Sequence, residues 1–154
     1  MFGHRPEGAH PGPVKAGPNA HLPPLPYTPA VPCPFCDPAA IAITAQSALA
    51  FAFRDRYPVS PGHTLVVTHR HLPDFFACST EERGALLDLV EEVKVALDLE
   101  LQPDGYNVGF NAGAAAGQTV MHVHIHVIPR FHGDMDDPRG GVRHAIPSKG
   151  NYLL

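Results

Sequence analysis

Between Met121 and Arg130 the chain reads Met-His-Val-His-Ile-His-Val-Ile-Pro-Arg, and no other stretch restricts the fold as much. Histidine alternates with a β-branched residue from His122 to Val127. Successive side chains on a strand point to opposite faces. The spacing therefore predicts a strand with His122, His124 and His126 on one face and Val123, Ile125 and Val127 on the other. The aliphatic face belongs in a core, because each such side chain gains about 1.5–3 kcal/mol on burial. The histidine face then looks toward a cleft. Same-face neighbours lie about 6.5–7 Å apart along a strand, which suits groups gripping successive atoms of one extended ligand, or a metal held by alternate residues. A single histidine is an ordinary packing residue; packing does not account for three at this spacing.

A chain of 154 residues is long enough for one domain with a proper core. Its net charge of −4 argues against a general nucleic-acid binder, whose footprint is a basic patch. A small phosphate ligand needs only local donors and stays open. No apolar run approaches the roughly 20 residues of a membrane span, and no leader of charged-then-apolar type opens the chain. Three cysteines do not make a disulfide framework. A cytoplasmic protein is the expectation.

Residues 1–32 hold nine of the eighteen prolines. Proline fixes φ and removes a donor, so this segment reads as a disordered extension ahead of a domain spanning 33–147, with 148–154 as a tail. Cys33-Pro34-Phe35-Cys36 opens the domain. It reads as a redox pair, as half of a zinc site lacking two ligands, or as two plain thiols. The strand before and helix after that a redox motif needs are missing. Short strands follow at Ile41–Ser47 and Leu49–Arg54, a Pro/Gly loop through His63, and a β-branched strand at Thr64–Thr68. Ser79-Thr80-Glu81-Glu82 is a capping box. It opens an amphipathic helix over about 80–100, with Leu86, Val90, Val93 and Leu97 inward and Asp88, Glu91, Glu92 and Asp98 outward. Another strand, Tyr106–Phe110, leads into Asn111-Ala112-Gly113-Ala114-Ala115-Ala116-Gly117-Gln118. Small residues of this kind let backbone N–H groups approach a phosphate.

The His-x-His-x-His run, its Gly117-Gln118-Thr119-Val120 lead-in and its Pro129-Arg130 exit resemble the signature of the histidine triad (HIT) superfamily of nucleotide hydrolases and transferases. The passage Ala52–Val67 resembles that family's other conserved block, and the tail Asp134–Arg143 is similar to a bacterial subgroup related to diadenosine tetraphosphate hydrolases. The resemblance implies an α+β fold: a five-stranded antiparallel sheet with one long helix, doubled into ten strands across a homodimer. It implies His124 as nucleophile on an α-phosphorus, with His122, His126 and Gln118 as the other catalytic groups. Asp55, Asn111, Gly117, Thr119, His63 and Phe35 would bind or support the nucleotide. For Asp55 a plain turn carboxylate is the other reading, and for Phe35 and Phe53 core packing is. It implies a structural zinc on Cys33, Cys36, His71 and His122, and no catalytic cofactor. Arg139, Arg143 and Lys149 either reach a polyphosphate or are simply solvated.

The expected partner is thus a small nucleotide, with no nucleic acid and no membrane. The favoured substrate is a dinucleoside polyphosphate such as diadenosine tetraphosphate; a nucleoside phosphoramidate is the alternative. Two rivals from other classes stand beside this: a catalytic metal centre built on the three histidines, and a nucleotide-binding regulator.

Overall fold

The computed structural model describes residues 33–151. The extension expected over 1–32 lies outside the described residues, as do the last three residues of the expected tail. Five strands form one antiparallel sheet: β1 (Ile43–Gln46), β2 (Ala50–Arg54), β3 (Thr64–Thr68), β4 (Gly105–Gly109) and β5 (His124–Arg130). Their order across the sheet is β1-β2-β3-β5-β4. Among the described residues one α-helix, α1 (Thr80–Leu101), lies against β2, β3 and β5. The expected α+β architecture is what the chain adopts.

Register assigns the two faces. Phe51 pairs with Val67 and Phe53 with Leu65, while Val67 pairs with His124 and Leu65 with His126. These six side chains therefore share one face. Ala50, Ala52, Val66, Ile125 and Val127 take the other face, where they meet Leu86, Leu89, Val93 and Leu97 of α1 in the main core. The helical stripe differs from expectation at one place. Leu89 is fully buried and Val90 only packs alongside, because steps of three and four residues straddle the line of contact in a 3.6-residue helix.

The triad strand begins two residues later than its alternation predicts. The ladder would continue to Thr68 and Val123, but the Thr68 carbonyl instead accepts from His122 Nε2 at 2.9 Å, and the Val123 N–H donates to Leu72 O at 2.7 Å. A side chain has taken the backbone acceptor, so pairing stops at His124. At the other end of β3, Gly62 (φ +83°) turns the chain where a Cβ would come within 2.5 Å of Leu101, so only glycine fits.

The helix start is held more firmly than a capping box alone requires. Ser79 accepts from the Glu82 amide at 3.2 Å, and the Glu82 carboxylate returns a bond to the Ser79 amide at 2.8 Å. Arg70 then grips the same carboxylate with two bonds of 2.8 and 2.7 Å. Glu82 is buried, and Arg70 together with the Ser79 amide lowers its pKa to about 2. Its contribution to stability is present above the ordinary value of 4.5 and is lost as the pH falls through about 2. Glu82→Gln is expected to cost about 1–2 kcal/mol at neutral pH. The penalty should shrink as the pH falls below 4.5, with wild type and variant converging below pH 2, as read by urea unfolding across that range. A penalty unchanged with pH would show that the ion pair is not its source.

Candidate active site

The three histidines each use a ring nitrogen for a different structural bond. His122 is fully buried. Its Nε2–H donates to Thr68 O, which leaves the Nδ1 lone pair facing Cys33 Sγ at 3.4 Å and Cys36 Sγ at 3.7 Å. His71 Nδ1 lies 3.2 Å from Cys36 Sγ. His124 donates from Nδ1 to the carbonyl of His122 at 2.7 Å, so its proton is fixed there and Nε2 presents a lone pair. His126 Nδ1 meets His63 Nε2 at 3.0 Å. The Val59 N–H donates to His63 Nδ1 at 3.4 Å; that places the His63 proton on Nε2 and the His126 proton on its own Nε2.

Burial depresses the pKa of His63 and His122, and takes that of His126 to about 4 with the help of the nearby His124 and His63 rings. His126 is therefore a neutral imidazole at pH 7, able to donate one hydrogen bond without attracting a counter-ion.

Cys33, Cys36, His71 and His122 bring four ligand atoms within 4.8 Å of one another. Zinc bonds of about 2.3 Å to sulfur and 2.0–2.1 Å to nitrogen, at tetrahedral angles, put sulfur and nitrogen about 3.6 Å apart. The separations of 3.2, 3.4 and 3.7 Å are of that size. The Thr68 bond also holds His122 in the tautomer that a ligand needs. The donor set fits a structural metal ion. The turn that closes it, with the Cys36 N–H on Cys33 O at 3.1 Å, leads into a three-residue 3-10 turn, Pro38–Ala40, and not into the long helix of a redox pair. Asp55, His63 and His126 form a second group of this kind, but the direct bond between its two histidines makes it a hydrogen-bonded chain. Neither group contains all three triad histidines, whose bonded nitrogens diverge; a metal centre built on the three together is not what the fold assembles.

Phe35 sits between the two cysteines and packs its ring edge-on at 5.4 Å from His124, 5.9 Å from His122 and 5.5 Å from Phe53. With Ile41, Ile43, Phe51, Leu65 and Val67 it forms a small apolar cluster on the histidine face, separate from the main core. Asp55 takes the turn-carboxylate reading and also reaches the histidine chain. One oxygen accepts from the Tyr57 amide at 2.8 Å as a turn carboxylate, and the other lies 3.4 Å from His63 Nδ1.

The glycine-rich loop is organised differently from a bare phosphate cradle. Gly113 and Gly117 both adopt φ +86°, and the amides of Gly113, Ala116, Gly117 and Gln118 are all engaged inside the loop. Gln118 is buried, and its carboxamide is fully occupied. It accepts from Gly113 N and donates to Pro73 O and Val120 O at 2.8, 2.5 and 3.0 Å. Gln118 thus braces the loop instead of facing the cleft. Thr119 is exposed and Asn111 half-buried, and their side chains are among the groups that remain for a ligand. In the tail, Arg139 pairs with Asp137, and Arg143 donates to Gly150 O and Lys149 O; both hold the tail's own fold. The boundary expected at 147/148 falls inside the 3-10 turn Pro147–Lys149.

A cavity of about 490 Å³ opens elsewhere, between β4, the end of β5 and the next turn, lined by Tyr106, Asn107, Arg130 and Asp134 among others. Its lining includes none of the triad histidines. Sequence reasoning missed the Thr68 carbonyl and the Pro73 carbonyl. Both act through the backbone, where residue identity carries no signal.

Residues 40–133 match the HIT domain family, and the chain belongs to that family. Its fold is similar to that of a HIT family protein from Bacillus anthracis, with TM-score 0.64 and 34% identity over 67% of this chain and 76% of that one. A Zn-bound histidine triad family protein from Mycobacterium smegmatis is similar with TM-score 0.58 and 31% identity, over 63% of this chain and 70% of that one. Among curated relatives, an AP-4-A phosphorylase of Mycobacterium tuberculosis is 31% identical over 123 residues, 79% of this chain and 62% of the relative. An adenosine 5'-monophosphoramidase of Schizosaccharomyces pombe is 41% identical over 86 residues, 56% of this chain and 62% of the relative.

Proposed function

We propose that the protein is a nucleotide hydrolase or nucleotidyl transferase. It cleaves at the α-phosphate of a purine nucleotide conjugate, with a dinucleoside polyphosphate such as diadenosine tetraphosphate favoured. The observation that carries this is the 2.7 Å bond from His124 Nδ1 to the His122 carbonyl, which holds the ring by Nδ1 and turns Nε2 toward the attack. That nitrogen attacks the α-phosphorus, the bond to the bridging oxygen breaks, and the leaving oxygen, departing as an anion, accepts a hydrogen bond from His126 Nε2. Water, or phosphate in a phosphorylase, then displaces the nucleotide from His124 Nε2. The Phe35 cluster takes the purine, Asp55 the ribose hydroxyls, and Asn111 and Thr119 the phosphate oxygens. Gly117 and Gln118 shape the loop, and His63 orients His126.

Zinc on Cys33, Cys36, His71 and His122 would be structural, fixing the His122 carbonyl that orients the nucleophile; no catalytic cofactor enters the scheme. The relative with phosphoramidase activity supports a second reading, in which the leaving atom is an amine nitrogen. A homodimer joined through the β4 edge, where Val108 is 43% exposed, completes the proposal, and solution mass tests it.

The decisive experiment mixes the protein with α-labelled diadenosine tetraphosphate and quenches in alkali. Phosphoramidates survive base and break in acid, so acid-labile label on the His124 peptide is the expected result. Turnover with label confined to another residue, or with none trapped under single-turnover conditions, rejects the mechanism.

A further inference from the structure

Beyond His126 the histidine face of the sheet continues as an open floor. Side chains at directly paired positions point the same way. Gly109 pairs with His126, Asn107 with Ile128 and Gly105 with Arg130, so all of them extend the face that carries His124 and His126. A Cβ added at Gly109 or Gly105 would meet nothing within 4 Å beyond the adjoining residues. The two glycines therefore leave the space above the strands clear on either side of Asn107. Along β5 this floor runs from His126 to Arg130, about 13 Å at the rise of a strand.

Arg130 belongs both to the floor and to the lining of the cavity of about 490 Å³ described above. Its guanidinium gives Nε–H and Nη2–H to Asp134 at 2.7 and 2.6 Å and Nη1–H to Asn107 Oδ1. Its charge is already matched, and the Asn107 amide keeps its own N–H donors. Three carboxylates, Asp104, Asp134 and Asp136, line the cavity against that one guanidinium. Such a lining repels phosphate and accepts hydrogen bonds from hydroxyl and amino groups. Phe131 and Met135 add apolar surface beside it. Acceptors next to an apolar wall suit a ribose and its base.

Direction along the face follows from the triad. The Phe35 cluster lies beside His122 and His124, whereas His126 meets the leaving oxygen in the scheme above. A leaving group therefore departs on the His126 side, over Gly109 and toward Arg130. We infer that the cavity holds the distal nucleoside of a dinucleoside polyphosphate, whose phosphates cross the glycine floor. This rests on the catalytic reading above and names the part of the substrate which that reading leaves undefined.

Two ligands with equal phosphate chains and equal charge isolate the site. One is diadenosine tetraphosphate; the other is the terminal methyl ester of adenosine 5'-tetraphosphate, with methyl in place of the distal nucleoside. In His124→Ala, the first is expected to bind about 10- to 100-fold more tightly, the weight of a hydrogen bond to a charged group. Adding Met135→Trp, whose indole would occupy the cavity, should abolish that advantage and leave the Kd of the methyl ester unchanged. Adding Asp136→Ala should reduce it. Equal Kd values for the two ligands, or an advantage that survives both changes, overturns the distal-nucleoside site. Acid-labile label on His124 of the wild type, from either compound labelled at the α-phosphate, keeps that outcome distinct from failure of the chemistry. Absence of label with both overturns the catalytic reading, and this site with it.

Discussion

His124→Ala should lose about 10⁴–10⁶-fold in kcat, the scale of removing a covalent nucleophile, while Kd for the nucleotide changes little. No neighbour can take over the attack. His122 has both ring nitrogens committed, to Thr68 O and to the cysteine sulfurs, and His126 Nδ1 is held by His63. His126→Ala should fall less, by about 10²–10³-fold, the range of one hydrogen-bond donor to developing negative charge. Its deficit should be smallest for substrates whose leaving group develops the least charge. His124→Gly leaves a vacancy the size of an imidazole, and added imidazole should restore part of the rate. Wild-type turnover by His124→Ala would end the proposal, since the chemistry would then have proceeded without its nucleophile.

The second large effect concerns the metal. Protein purified without added zinc should carry about one equivalent per chain, and the double change Cys33→Ser, Cys36→Ser should carry none. Losing the ion together with its two thiolate ligands should cost several kcal/mol of stability. The same change should reduce kcat by about 10–100-fold, the usual consequence of disturbing groups that orient a ligand, because His122 would lose the partner of its Nδ1 and with it the placement of its carbonyl. A variant with full metal content, or a metal-free variant melting like wild type, would remove this site from the account.

Much of this architecture was legible in the residues. Alternation from His122 to Val127 marked the strand and sorted its faces, and Ser79 to Glu82 marked the helix start. Other features were legible only through likeness to a family. Cys36 and His71 are 35 positions apart, and Cys33 and His122 are 89 apart; no local pattern joins them. The contribution of Arg70 was hidden for the same reason, since a capping box signals its own hydrogen bonds and not the guanidinium arriving from another element. Gln118 was placed among the catalytic groups through likeness to the family. Its place was decided by two carbonyls, Pro73 and Val120, whose positions depend on chain geometry. The departure of His122 from the strand has the same origin: the contest for the Thr68 carbonyl is settled in three dimensions.

The position of His122 also sets an order of assembly. Three of the four candidate metal ligands, Cys33, Cys36 and His71, leave the ribosome before α1 is made, and the fourth follows the helix, β4 and the loop. The set stays incomplete until β5 has been synthesised and has paired with β3, a contact closed across about 60 residues of chain. The event that completes the donor set also fixes the carbonyl that orients His124. A nascent or partly folded chain therefore holds two accessible thiols and no aligned nucleophile, and closure of the last strand ends both conditions together.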